Sequence, residues 1–115
     1  MITVYGIKNC DSVKKALKWL EDHRICCQLH DFRIDSLDDC WLLLAESVFG
    51  WEKLVNKRST TWRNLDIETK ENLSKSTALS LLKTHPTLIK RPIILQDNIA
   101  LIGFDEEDYK KVFVK

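Results

Sequence analysis

The stretch "YGIKNCDSVKKALKWL", residues 5–20, sets one cysteine where a strand-like run gives way to a helix. A thiol attacks disulfides and other electrophilic centres only as its thiolate. At a helix start the free backbone N–H groups and the helix dipole favour an anion, so Cys10 is expected to titrate below an ordinary cysteine. Lys8 and Lys14 add positive charge nearby, and Asp11 opposes them. A dithiol pair on one helical turn would need a second sulfur three residues on, and that position is Val13. A lone nucleophilic cysteine therefore needs an external thiol to finish its reaction. The competing reading is a buried structural cysteine, a common fate for this residue. The polar neighbours and the lysines argue against it.

Three more cysteines, Cys26, Cys27 and Cys40, lie outside this stretch. Strand alternation puts Cys26 and His30 on one face and Cys27 on the other, and Cys40 fits an apolar helix stripe. With no paired C-x-x-C spacing, no metal site is expected. His23 and His85 read as surface or capping residues. Of the four tryptophans, Trp41 falls on a core stripe, Trp19 and Trp51 read as packing or loop anchors, and Trp62 sits in a basic loop where ligand contact is worth testing.

The elements that must position Cys10 follow from periodicity. "ITVYG" alternates and is β-branched, hence a strand. Val13, Ala16, Leu17 and Leu20 recur at helical spacing, so the next helix buries that face, with Asp11 or Ser12 as its cap. "CCQLHDFR", 26–33, is a second strand, giving a right-handed βαβ unit with parallel strands. "SLDD", 36–39, is a capping-box variant before a helix expected to bury Leu37, Cys40, Trp41, Leu44 and Val48 and to stop at Gly50. "WEKLV" adds a short turn, "NKRSTTWRNLD" (56–66) reads as a loop, and helical texture returns from about Glu68 to Thr84. "RPIIL" and "IALIG" flank "QDN", a hairpin. "DEEDYKKVF" closes the chain as a helix capped by Asp105, with Tyr109, Val112 and Phe113 inward.

That order gives an α/β class: a thioredoxin-like fold with a mixed four-stranded sheet flanked by helices. One domain spans 1–115, with a helical insertion of about 36–90 between strands 2 and 3. In such folds a cis-proline opens strand 3 beside the redox cysteine, a place taken by Pro92. Arg91 then points a permanently charged fork at any oxyanion or carboxylate held over Cys10.

Composition narrows the class further. The 115 residues are 44% hydrophobic and 30% charged, with a net charge of +1. This is an ordinary globular balance without the broad cationic field of a nucleic-acid binder. Met1 runs straight into the first strand, so no signal peptide is read. The longest apolar run, "WLLLA" at 41–45, is too short to span a membrane. The expectation is a cytoplasmic protein with reduced thiols, and nothing requires more than a monomer.

The combination of "ITVYGIKNCDSVKKALKWL", "NKRSTTWRNLD" and "HPTLIKRPIIL" resembles the bacterial ArsC-related proteins over residues 2–113. That family holds glutaredoxin-coupled arsenate reductases, the regulator Spx and a branch typified by YffB. "GIKNCD", "TTWR" and "RPI" are most similar to the YffB-like branch. The resemblance implies a nucleophile at Cys10 and an oxyanion-binding arginine at Arg91. By this resemblance the family's upstream histidine aligns with Gly6 and its helix serine and arginine with Val13 and Lys14, while a second oxyanion arginine falls near Asn56, with Lys57 and Arg58 adjacent, and a third at Gly103. A lysine cannot restore a lost guanidinium fork, which weighs against arsenate as the substrate.

The implied function is a glutathione-dependent monothiol reductase. Cys10 attacks a small-molecule or protein disulfide, and glutathione or a glutaredoxin-type donor resolves it. Lys8, Asn9, Lys14, Arg58, Arg91 and Pro92 are the residues expected to hold substrate or glutathione, with no tightly bound cofactor. The alternative is an Spx-like regulator acting by protein docking. Val13 removes the dithiol switch of that reading but not the docking.

Overall fold

The computed structural model describes residues 1–114. The chain divides into two compact units, Met1–Ser36 together with the chain from Arg91, and Leu37–Lys90.

The first unit holds β1 (Ile2–Gly6), α1 (Asp11–Asp22), β2 (Cys27–Asp31), β3 (Ile93–Gln96), β4 (Ile99–Ile102) and α7 (Glu106–Phe113). The sheet order is β2-β1-β3-β4. Parallel pairing of β1 with β2 runs from Ile2↔Cys27 to Gly6↔Asp31, while β3 is antiparallel to both β1 and β4. The sheet is the expected mixed, four-stranded one. A two-residue turn joins β3 to β4, with Asp97 at φ 51°.

Val13, Ala16 and Leu20 are buried, as the helical spacing of α1 requires, and Trp19 joins them at 7% exposure. They pack with Val4, Ile94, Leu101 and Tyr109 in one apolar core. The Trp19 and Tyr109 rings meet edge to face at 5.5 Å, a geometry that adds about 0.5–1.5 kcal/mol beyond area burial. This core fixes α1, and with it the residue that opens α1.

The second unit holds α2 (Asp39–Phe49), α3 (Trp51–Leu54), α4 (Thr60–Arg63), α5 (Ile67–Glu71), α6 (Lys75–Thr84) and a 3₁₀ turn at Pro86–Leu88. Leu42, Ala45, Leu54, Val55, Ala78, Leu82, Leu88 and Ile89 are its buried apolar residues.

Four expectations are corrected here. The buried positions of α2 are Leu42 and Ala45, whereas Leu44 and Val48 are 51% and 47% exposed. Cys40 is exposed and Leu37 and Trp41 are half-buried, so the packed face is turned from the one inferred. The α2 cap is Asp38, which accepts the Trp41 N–H at 3.1 Å, and not Ser36, whose carbonyl bonds the His30 ring. The basic loop contains the single turn α4, capped by Ser59 on the Trp62 N–H. The helix expected over 68–84 is two helices. Asn72 ends the first, and the Thr77 hydroxyl accepts the Ser74 N–H at 2.7 Å to start the second. Short polar side chains bonding nearby backbone explain both interruptions. Among the described residues no helix is long and apolar enough to cross a membrane.

Candidate active site

Cys10 lies in the connection from β1 to α1 and is the N-cap residue of α1, with extended backbone at φ −117°, ψ 125°. The cap expected at Asp11 or Ser12 is thus one or two residues earlier. Asp11 is the first helical residue, and Cys10 O accepts the Lys14 N–H at 3.0 Å. As a neutral thiol Cys10 makes no capping hydrogen bond. Ionised, it faces the N–H groups of Val13 and Ser12, which the first helical turn leaves without backbone acceptors.

The thiol is half-buried. Burial pushes its pKa up, but the Arg91 side-chain hydrogen bond, the Val13 N–H, the Arg91 charge and the Ser12 N–H together bring it below the ordinary value. The dominant cation is therefore Arg91, brought from the start of β3. Lys8, Asn9 and Lys14 are exposed on the same unit, and neither lysine is among the groups that lower Cys10.

Arg91 is set by its neighbours. The Arg91–Pro92 peptide bond is cis, Pro92 is fully buried, and Pro92 O accepts the Gly103 N–H at 2.8 Å. Gly6, at the end of β1, leaves the space this packing uses. A Cβ there would lie 2.6 Å from Val13 Cγ2 and 3.6 Å from Arg91 Cβ.

One positioning residue escaped the sequence reading. Asp31, 3% exposed, ends β2. Its Oδ2 accepts the Lys8 N–H at 2.9 Å and its Oδ1 the Arg33 N–H at 2.8 Å, so the carboxylate fastens the loop before Cys10 to the sheet. Burial opposes ionisation of Asp31. The N–H groups of Lys8 and Arg33, the Arg33 charge and the Ile34 N–H outweigh it and hold the carboxyl below its usual range. The signal was present as an acidic residue closing an apolar strand, but its partner is a backbone N–H, which no side-chain pattern reveals.

The other thiols differ from Cys10. Cys26 and Cys40 are exposed and all four cysteines are free. Burial pushes the Cys27 thiol up, and the charges of Glu21 and Cys26 push it further. Val13, in the place of a resolving cysteine, is wholly buried. Arg58, also expected at the site, belongs to the second unit.

A family model described as the ArsC family matches residues 5–112. The chain belongs to the ArsC family. It is 67% identical over 113 residues to an uncharacterized protein of Haemophilus influenzae, covering 98% of this chain and 99% of that protein. It is 32% identical over 112 residues to the global transcriptional regulator Spx of Streptococcus mutans, covering 96% of this chain and 81% of Spx. The solved structure of the protein YFFB superposes with a TM-score of 0.90 at 33% identity, covering 96% of this chain and 97% of that one.

Gly6 and Val13 form one packing unit. The Val13 methyl occupies the volume that a side chain at position 6 would need. A side chain at position 6 and valine at position 13 compete for the same volume.

Proposed function

We propose that this ArsC-family protein is a glutathione-dependent monothiol reductase with Cys10 as nucleophile. The observation that carries the reading is a thiol at a helix N-cap whose pKa is lowered by Arg91 and two backbone N–H groups, with valine in the place of a resolving cysteine. In the first step the Cys10 thiolate attacks a glutathione mixed disulfide at the glutathione sulfur. The Cys10–glutathione disulfide forms, the substrate S–S bond breaks, and the substrate leaves as its thiolate. In the second, a free glutathione thiolate attacks that glutathione sulfur, releasing glutathione disulfide and restoring the Cys10 thiolate. Each turnover consumes one free glutathione: the substrate sulfur leaves as a thiol, and the glutathione it carried leaves joined to the second as glutathione disulfide.

Arg91 holds the Cys10 thiolate and offers its fork to a glutathione carboxylate, with Pro92 beside it as an expected contact for the bound tripeptide. Lys8, Asn9 and Lys14 line the exposed side of the loop and first helical turn as secondary anchors. Glutathione is the co-substrate, a glutaredoxin-type thiol is an alternative donor, and the reducing cytoplasm is where such a cycle runs. Arsenate ranks below a disulfide as substrate, since Asn56 and Gly103 stand where the family pattern has oxyanion arginines.

A second reading, a docking regulator, is favoured by the 32% identity to Spx over nearly the whole chain. One experiment separates the two. Alkylation of Cys10 across pH, with Cys10→Ser as control, is followed by glutathione disulfide treatment and peptide mapping. A midpoint below the ordinary cysteine value of about 8.5, an adduct on Cys10 and release of it by free glutathione support the reductase. An ordinary midpoint with no adduct sinks it and leaves the regulator.

A further inference from the structure

The second unit carries a concentration of charge of which only Arg58 is among the residues expected to hold glutathione. A cavity of about 340 Å³ is lined by Glu52, Lys53, Val55, Asn56, Lys57, Arg58 and Lys90. Four cations thus face one carboxylate. Elsewhere in the same unit lysines find acidic partners: Lys75 pairs with Glu46 at 3.4 Å and Lys83 pairs with Asp39. Among the described residues Lys53, Lys57, Arg58 and Lys90 make no ion pair, and Lys57 has only the Trp62 ring, 5.7 Å away.

The wall that gathers these side chains is rigid. Val55 and Ile89 form a β-bridge, flanked by Asn56 N–H to Leu88 O at 2.8 Å and Lys90 N–H to Leu54 O at 2.7 Å. Leu54, Leu88 and Ile89 beneath it are wholly buried. Beyond the bridge, Asn56 folds the chain back. Its Oδ1 accepts the Arg58 N–H at 3.1 Å and its carbonyl the Ser59 hydroxyl at 2.8 Å. Lys90 and the 53–58 segment, distant in sequence, are therefore held side by side before any ligand arrives, which removes much of the ordering cost of binding.

Like charges gathered in a concavity repel one another and raise the local positive potential, which an anion relieves. Pockets for neutral organic ligands are lined mostly by apolar side chains, and here the single apolar lining residue is Val55. Compact ammonium groups beside a planar guanidinium suit phosphate oxygens, with lysine as point charge and arginine as fork. The excess of three positive charges exceeds what one carboxylate neutralises.

We infer that this cavity binds a diphosphate group, through Lys53, Lys57, Arg58 and Lys90. The inference is argued from the charges of the second unit alone, and it gives Arg58 a diphosphate oxygen as a ligand beside the glutathione expected from the sequence. Neither Lys53 nor Lys90 has a part in the reductase cycle, so the two are the residues to change.

The test is an NMR titration of the full chain at constant ionic strength with inorganic diphosphate, ADP and glutathione disulfide as separate probes. Diphosphate is expected to give saturable shifts confined to residues 52–58, Lys90 and the Trp62 indole. The Lys53→Gln/Lys90→Gln variant should bind about tenfold more weakly or worse, the scale of losing charged hydrogen bonds. Its Cys10 alkylation profile should match that of the unchanged protein. ADP binding more tightly than diphosphate identifies a nucleotide as the source of the group, and equal affinities identify the bare diphosphate; both sustain the site. Shifts spread equally over Lys75, Lys83 and Lys110, or a variant that binds as well as its parent, overturn it. Glutathione disulfide saturating the same signals more tightly than diphosphate also overturns it, because the cavity would then serve the thiol reaction. An ordinary Cys10 titration would sink the reductase and leave this site standing.

Discussion

The Asp31 carboxylate accepts the Lys8 N–H at 2.9 Å, tying the loop that delivers Cys10 to the last residue of β2. Because the acceptor is charged and 3% exposed, this tie is strong for a hydrogen bond. Asp31→Asn should cost about 2–3 kcal/mol in urea unfolding. The pH dependence has a defined sign. The folded pKa of Asp31 lies below its unfolded value, so between the two the unfolded chain binds more protons. The contribution is complete well above the unfolded value of about 3.9 and is lost as pH falls through the lower folded one. The unchanged protein should therefore lose stability on acidification more steeply than Asp31→Asn. Parallel acid curves would show that the carboxylate is not held as described.

Arg91 supplies both a hydrogen bond and a charge to Cys10, and the Val13 and Ser12 N–H groups supply the rest. Arg91→Gln leaves burial opposed by the two N–H groups alone, so the midpoint of Cys10 alkylation should move up and the rate at neutral pH fall several-fold. Arg91→Lys keeps the charge without the fork and should lie between. Lys14→Gln, by contrast, should leave the midpoint in place. A midpoint that follows Lys14 and ignores Arg91 would reverse the assignment.

Much of this arrangement was legible before the fold was known, for identifiable reasons. Strand alternation in "ITVYG" and helical spacing from Val13 to Leu20 are local signals, and both elements form as read. The hairpin and its closing helix, with Asp105 capping on the Glu107 N–H, are likewise local. Cys10 stood out because nucleophile and helix start are adjacent in sequence. Asp31 did not, because what it bonds is backbone 23 residues away. Lys53 and Lys90 were missed for the same reason, their proximity resting on a bridge between distant segments. In α2 the signal was too rich. "WLLLA" is apolar at five successive positions, with Cys40 before it, so periodicity alone admits more than one buried face.

The face of α2 can be decided by substitution. Leu42 is 3% exposed and Leu44 is 51% exposed. Leu42→Ala should cost about 2–4 kcal/mol, the range for a buried leucine. Leu44→Ala should cost about 0.5 kcal/mol or less, as for an open surface position. The two costs, read from urea midpoints at unchanged slope, would be reversed if the stripe through Cys40, Leu44 and Val48 were the packed one.

Gly6 and Val13 should be energetically coupled. Gly6→Ala drives a Cβ to 2.6 Å from Val13 Cγ2, and valine has no spare rotation with which to retreat. The expected cost is about 1–3 kcal/mol, typical of overpacking. Val13→Ala alone opens a void at a fully buried site and costs about 1–2 kcal/mol. Together the two changes should cost less than their sum by about 1 kcal/mol, because the added methyl enters the space the valine vacates. Gly6→His, as the family pattern has it, should be better tolerated with Val13→Ser than with valine present. Strict additivity in the cycle would mean that the two positions do not share this volume. A clear coupling would mean that the close approach of Gly6 to Val13 limits what either position can hold beside Cys10.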